Sequence, residues 1–135
     1  MPQLRIREVA AFLGVSDDTV RRLIDSGALP ESIDEAGRRV VDGRDVADYL
    51  RAQAGVVPDP SGVVSSARNR WVGLVTAIKS DPVMSQVELQ CGPFRVVSLM
   101  STEAVKDLGL ELGSVAVAVV KSTNVIVEVP SGGRS

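Results

Sequence analysis

Histidine is absent from this 135-residue chain, and cysteine occurs once, at Cys91. With no imidazole and one thiol, a structural zinc site has almost no ligands to draw on, an internal disulfide is impossible, and Cys91 has no base to activate it as a nucleophile. Aromatic residues make up 3% of the chain, and the lone Trp71 reads as core or interface rather than a ligand platform. No apolar run approaches the roughly 18 residues of a membrane span. The N-terminal stretch MPQLRIREVA lacks the apolar core of a signal peptide, so a cytoplasmic protein with no membrane partner is expected. There is no G-x-x-x-x-G-K-[ST] loop to cradle a nucleotide, and no nucleophile sits beside a base, so an enzyme is not expected. Neither sign of charge dominates. The net charge is −2, which argues against a strongly basic nucleic-acid wrapper, although screening over about 8 to 10 Å leaves room for a local basic patch.

What is present divides the chain in two. Hydrophobic residues make up 44%, enough for buried cores. Between Ala54 and Ser66 the sequence AGVVPDPSGVVSS carries two Pro, two Gly and three Ser, with neither helical nor alternating order. The expected organisation is a helical domain over 1–54, a linker over 55–65, a β domain over 66–130 and a flexible tail over 131–135.

In the first part, Ile6, Val9 and Leu13 share one helical face and Val20, Leu23 and Ile24 another. Gly14 stops the first helix, Ser16 has the chemistry of an N-cap, and Asp17 and Asp18 sit at the positive end of the next helix. Asp17 with Arg21 and Asp18 with Arg22 have the i,i+4 spacing of solvated helix ion pairs. Ala36 and Gly37 predict a hairpin turn, followed by Arg38 and Arg39 on an edge with no acid that the sequence places opposite them. Asp42 then caps a third helix in which Val46, Tyr49 and Leu50 face inward. FLGVSDDTVRRLIDSGALP followed by GRRVVDGRDVADYL resembles the winged helix-turn-helix of the MerR and excisionase type. The resemblance implies a mainly α unit that binds double-stranded DNA, with Ser16, Thr19, Arg21 and Arg22 approaching a major groove and Arg38 and Arg39 of the wing reaching phosphates or a minor groove.

In the second part the hydrophobic period is two. Five runs, at Trp71 to Ile78, Gln86 to Cys91, Phe94 to Met100, Val115 to Lys121 and Asn124 to Val129, predict a small five-stranded, OB-like barrel with one short helix. Polar groups suited to a tetrahedral oxyanion collect at the element ends. Ser66, Arg68 and Asn69 open the first strand, Ser101 caps the helix TEAVKDLG, and Lys121 with Ser122 ends the apolar strand SVAVAVV. SARNRWVG, LMSTEAVKDLGLELGS and VVKSTNVIVEV together resemble the Mop or TOBE domain of molbindins and ModE-type regulators. That resemblance implies molybdate or tungstate as ligand, bound as an oxyanion with no metal ligands from the protein, at Ser66, Ala67, Arg68, Asn69, Ser101, Lys121 and Ser122.

Joined, the halves imply a transcriptional regulator whose oxyanion-binding domain sets DNA affinity. The alternative from another class is a molbindin-like molybdate storage or homeostasis protein whose helical domain binds a protein partner. The strand SVAVAVV is apolar on both faces, which predicts a homodimer or higher even oligomer. The resemblance to the Mop family, whose oxyanions lie at interfaces between chains, implies that Arg68 of one chain and Lys121 of another share an anion.

Overall fold

A computed structural model describes residues 2–55 and 58–130. The expected tail 131–135 and two linker residues, Val56 and Val57, lie outside the described residues. The chain separates into two compact units, one of residues 1–56 together with 128–135 and one running from Val57 to Val127.

The first unit begins with β1 (Gln3–Arg5), which leads directly into α1 (Ile6–Leu13). Gly14 ends α1 in the left-handed region at φ 68°, its N–H donating to the Ala10 carbonyl, a conformation that favours glycine. One turn later Ser16 caps α2 (Asp17–Asp25), with Asp17 and Asp18 on its positive end as expected. A short hairpin of β2 (Ser32–Ile33) and β3 (Arg39–Asp42) follows, and Asp42 caps α3 (Gly43–Gln53) by accepting the Arg44 N–H at 2.9 Å. β1 pairs with β3 antiparallel, giving the order β1-β3-β2, a third strand that three residues of sequence did not signal. Val9, Ala10, Val20, Ile24, Leu29, Val41 and Val46 form the core, with Leu13, Leu23 and Tyr49 packed against it.

The second unit is a curled antiparallel sheet in the order β6-β5-β4-β7, from β4 (Asn69–Ser80), β5 (Met84–Cys91), β6 (Phe94–Ser101) and β7 (Val115–Val120). Between β6 and β7, α4 (Thr102–Leu108) is capped by Ser101 and ended by Gly109 at φ 64°. Val75, Val87, Leu89, Cys91 and Val105 are its core, with Ile78, Val96, Met100, Ala116 and Ala118 around them.

The expected fifth strand is a correction. Ser122–Asn124 is a 3₁₀ turn, and residues 125–130 join no ladder. A strand persists only where its backbone N–H and C=O groups find a partner. Neither free edge of this chain's sheet receives the segment. Its apolar side chains stay exposed, Ile126 and Val127 at 84% each, so the β-forming composition read correctly while the pairing it needs is missing within one chain. β6 and β7 remain unpaired edges, and between them lies a cavity of about 640 Å³ lined by Val87, Leu89, Val96, Leu110 and Ala116 among others.

Gly73 lets β5 approach β4 just before the register shift between Val75 and Ala77. A Cβ at this position would lie 2.5 Å from Cys91 Sγ and 2.6 Å from the Gln90 carbonyl oxygen. Gly73→Ala is therefore expected to force the ladder apart and destabilise the second unit by about 1–3 kcal/mol, the scale of an overpacked core. A lowered urea midpoint followed through Trp71 fluorescence checks this; an unchanged midpoint refutes the close approach.

Candidate functional site

On the helical unit, the exposed side of α2 is organised by hydroxyls. Ser16 Oγ accepts the Thr19 N–H at 3.2 Å and lies 3.0 Å from the Thr19 hydroxyl, which accepts from Arg22 Nη2 at 3.2 Å. Arg21 pairs with Asp18 at 2.9 Å, an i,i+3 contact in place of the i,i+4 pairs that spacing suggested. Arg38 and Arg39, at the β2–β3 hairpin, are not unopposed. Arg38 Nε lies 2.9 Å from Asp34, whose other oxygen accepts the backbone N–H groups of Ala36 and Arg38. Arg39 pairs with Glu31 and lies 3.6 Å from Asp25, and the Glu31 hydrogen bond raises its pKa above the usual arginine value. These acids come from the turn, from the segment before β2 and from the end of α2, so no strand-pairing argument could reveal them. Arg22 is left with a hydroxyl partner only. Exposed Arg5, Arg7 and Arg44, near the starts of α1 and α3, take part in none of the ion pairs among the described residues, and no spacing pattern had singled them out.

In the second unit the register assembles most of the expected oxyanion residues at one end. Asn69 pairs with Val120 in the β4–β7 ladder, and its Nδ2 donates to the Val120 carbonyl at 3.2 Å. That contact puts Lys121 and Ser122, the next residues along, beside the start of β4. Ser66, Arg68, Lys121 and Ser122 are exposed, whereas Ala67 is buried and donates its N–H to Ser65 Oγ at 3.1 Å. No ion pair among the described residues involves Arg68 or Lys121, so two cations face solvent uncompensated. Such a pair flanked by hydroxyls and an amide can hold a small anion by charge-assisted hydrogen bonds.

Ser101 is not with them. It pairs with Met84 at the other end of the sheet, where Ser80 pairs with Ser85, and its hydroxyl is taken up by the Ala104 N–H at 3.0 Å. The 12 residues of β4 separate the two ends, at about 3.3 Å per residue. Within one chain the β4–β7 register already brings Lys121 to the end of β4 that follows Arg68. Two features had gone unread in the sequence. One is a hydroxyl chain in which the buried Ser85 lies 2.7 Å from Ser80 and 2.8 Å from Thr102. The other is the bonding of Arg70 to Asp59 and Ser61.

Comparison with known proteins follows the same division. Residues 4–54 match the helix-turn-helix domain family and residues 65–127 the TOBE domain. Molybdenum-pterin-binding protein 3 of Clostridium pasteurianum is 40% identical over 63 residues, 46% of this chain and 93% of that protein. The chain belongs to the molybdenum-pterin-binding, TOBE-domain family. This family member is also similar to the molybdenum transport protein ModE of Herbaspirillum seropedicae, 37% identical over 89 residues that make up 65% of this chain and 33% of ModE. The chain thus spans about a third of that relative's length. A solved structure of the cytoplasmic molybdate-binding protein ModG, with molybdate bound, is 33% identical with a TM-score of 0.50, covering 70% of this chain and 78% of that one. These relatives are named for binding or transporting molybdenum and none for a reaction. None of this chain's described helices is long and apolar enough to cross a membrane.

The Ser16 cap is open to a direct check. Ser16→Ala removes the acceptor for the Thr19 N–H and is expected to lower the stability of the helical unit by about 0.5–2 kcal/mol, with Ser16→Asp recovering most of the loss. Urea denaturation followed by far-UV circular dichroism reads both variants.

Proposed function

We propose that this protein is a molybdate-responsive transcriptional regulator of the cytoplasm, in which the TOBE unit takes up molybdate or tungstate and the helix-turn-helix unit binds double-stranded DNA. The observation that carries the reading is the gathering of Ser66, Arg68, Asn69, Lys121 and Ser122 at one end of the β4–β7 ladder, with two uncompensated cations. It stands in a domain matched over nearly the full length of a molybdenum-binding relative. Attachment to a helix-turn-helix unit supports regulation. On that unit Arg22, with Ser16 and Thr19 around it, is the residue best suited to read a base edge. Arg21, Arg38 and Arg39 contribute less to phosphate neutralisation than free arginines, because each already has an acid. The same pairing favours the second reading, molybdate storage with the helical unit bound to a protein. The two separate in a mobility shift with genomic fragments: specific retention that responds to molybdate supports regulation, and none at any salt concentration supports storage.

Calorimetry against molybdate, tungstate, sulfate and phosphate tests the ligand. Binding of the first two with sulfate and phosphate much weaker is expected; no heat with any of the four overturns the oxyanion site. For DNA, Arg22→Ala should cost about 1–3 kcal/mol of operator preference. Replacing both Arg38 and Arg39 by Ala should reduce the slope of log K against log salt by clearly less than the roughly 1.8 units of two free phosphate contacts.

The site is completed, in this reading, by a second copy. Ser101 lies at the far end of its own sheet, β6 and β7 are open edges, and Val125 to Val129 is an exposed apolar segment that needs a ladder. Two copies exchanging edges would bury these surfaces and bring Ser101 of one chain toward Arg68 of the other. Arg68→Ala removes a cation, and Ser101→Asp keeps the helix cap while repelling an anion. Each alone should weaken molybdate binding. Co-refolded as a mixed oligomer, they should regain tight binding at a fraction of sites, because some sites then draw both groups from intact positions. If no tight class appears, the site does not span two chains.

A further inference from the structure

The stretch before β4 has the composition of a free linker, yet its second half is tied down. Arg70, half-buried on β4, reaches back to Asp59 with Nε at 3.0 Å and Nη2 at 2.9 Å from Oδ2. Nη2 also donates to Ser61 Oγ at 3.1 Å. The other Asp59 oxygen accepts the Ser61 N–H at 2.8 Å, and Ser61 Oγ accepts the Val63 N–H at 3.3 Å. A carboxylate, a hydroxyl and a forked guanidinium thus close a loop from residue 59 to residue 70. Ser66 to Asn69, the segment assigned to the oxyanion, lies inside that loop and ends against its closing residue.

We propose that Asp59, Ser61 and Arg70 form a clasp that holds the segment Ser66–Asn69 in its anion-binding shape, with Arg70 a positioning residue that never touches the anion. The proposal rests on the oxyanion reading above. The clasp divides the work of two arginines on the same strand end. Arg70 has its charge met by Asp59, while Arg68, two residues away and exposed, keeps its charge for a ligand. Closing a loop of this length costs chain entropy. In the clasped chain that cost is met before the anion arrives, which leaves more of the contact energy to affinity. Ala67 in mid-segment is buried, with its N–H on Ser65 Oγ.

Hydrogen bonds from Ser61, then from Arg70, hold the Asp59 carboxyl down at about 2. A lowered carboxylate pKa stabilises the closed form above the ordinary value near 4 and loses that contribution as pH falls toward about 2, so the clasp is ionised throughout the neutral range.

The test uses the full chain with Asp59→Asn, Arg70→Gln, Arg70→Lys and the double variant Asp59→Asn with Arg70→Gln, each checked for folding by circular dichroism. Two readouts are taken: amide hydrogen exchange at Val63 and Ala67 in the free protein, and molybdate affinity by calorimetry. Asp59→Asn and Arg70→Gln are each expected to speed exchange and weaken molybdate by about 3- to 10-fold, the scale of a partly exposed charge-assisted contact. The double variant should be no worse than either single, because both remove one interaction. Arg70→Lys should recover part of the loss. Unchanged exchange in both single variants overturns the clasp. Faster exchange with unchanged affinity overturns its positioning role, and losses that multiply in the double variant show two independent effects instead. If the wild-type protein takes up no molybdate, the oxyanion reading falls, while the exchange rates still decide whether the loop is held.

Discussion

The β4 ladder is the constraint on which the second unit depends. β4 is paired on both sides, to β5 along one edge and to β7 along the other, and its register fixes which loops meet. The Asn69–Val120 contact brings the Lys121–Ser122 turn to the start of β4, and the same register sends Ser101 to the opposite end. Gly73 admits the close approach of β5 that this pairing demands. A one-residue slip would turn every side chain of β4 to the other face and break the core and the cationic end together.

Charge is distributed by the same logic. The chain has almost as many bases as acids, and most arginines with a nearby acid are paired: Arg21, Arg38, Arg39, Arg70 and Arg95. Arg68 and Lys121 are in none of the ion pairs among the described residues, and the Asn69 amide and the Ser66 and Ser122 hydroxyls lie next to them in the chain. Local pairing, more than net charge, decides which cations stay open at this end of the ladder. It also limits the helical unit, where the arginines most obvious in the sequence are partly neutralised and Arg22 is held by a hydroxyl alone.

Local chemistry was legible wherever it is decided by adjacent residues. The caps at Ser16, Asp42 and Ser101 and the helix stop and turn at Gly14 and Gly37 follow from short-range steric and hydrogen-bonding rules, and all appear in the structure. The period-two runs marked four strands correctly. The segment after Lys121 has the same β-forming composition but no ladder, because a strand is completed by a partner that its own residues do not supply.

By itself, then, the sequence determined the two units, their helix ends, most strands and the residue types at the candidate oxyanion site, since each depends on near neighbours or on hydrophobic period. Only the tertiary structure decided that Lys121 comes to the start of β4 while Ser101 lies at its other end, and that Asp34, Glu31 and Asp25 occupy Arg38 and Arg39. It alone decided that Arg70 turns half of a linker into a closed loop. Each of these is a contact between residues distant in sequence or a choice among several acids within reach, and register and chain reversal select among them where no local rule does.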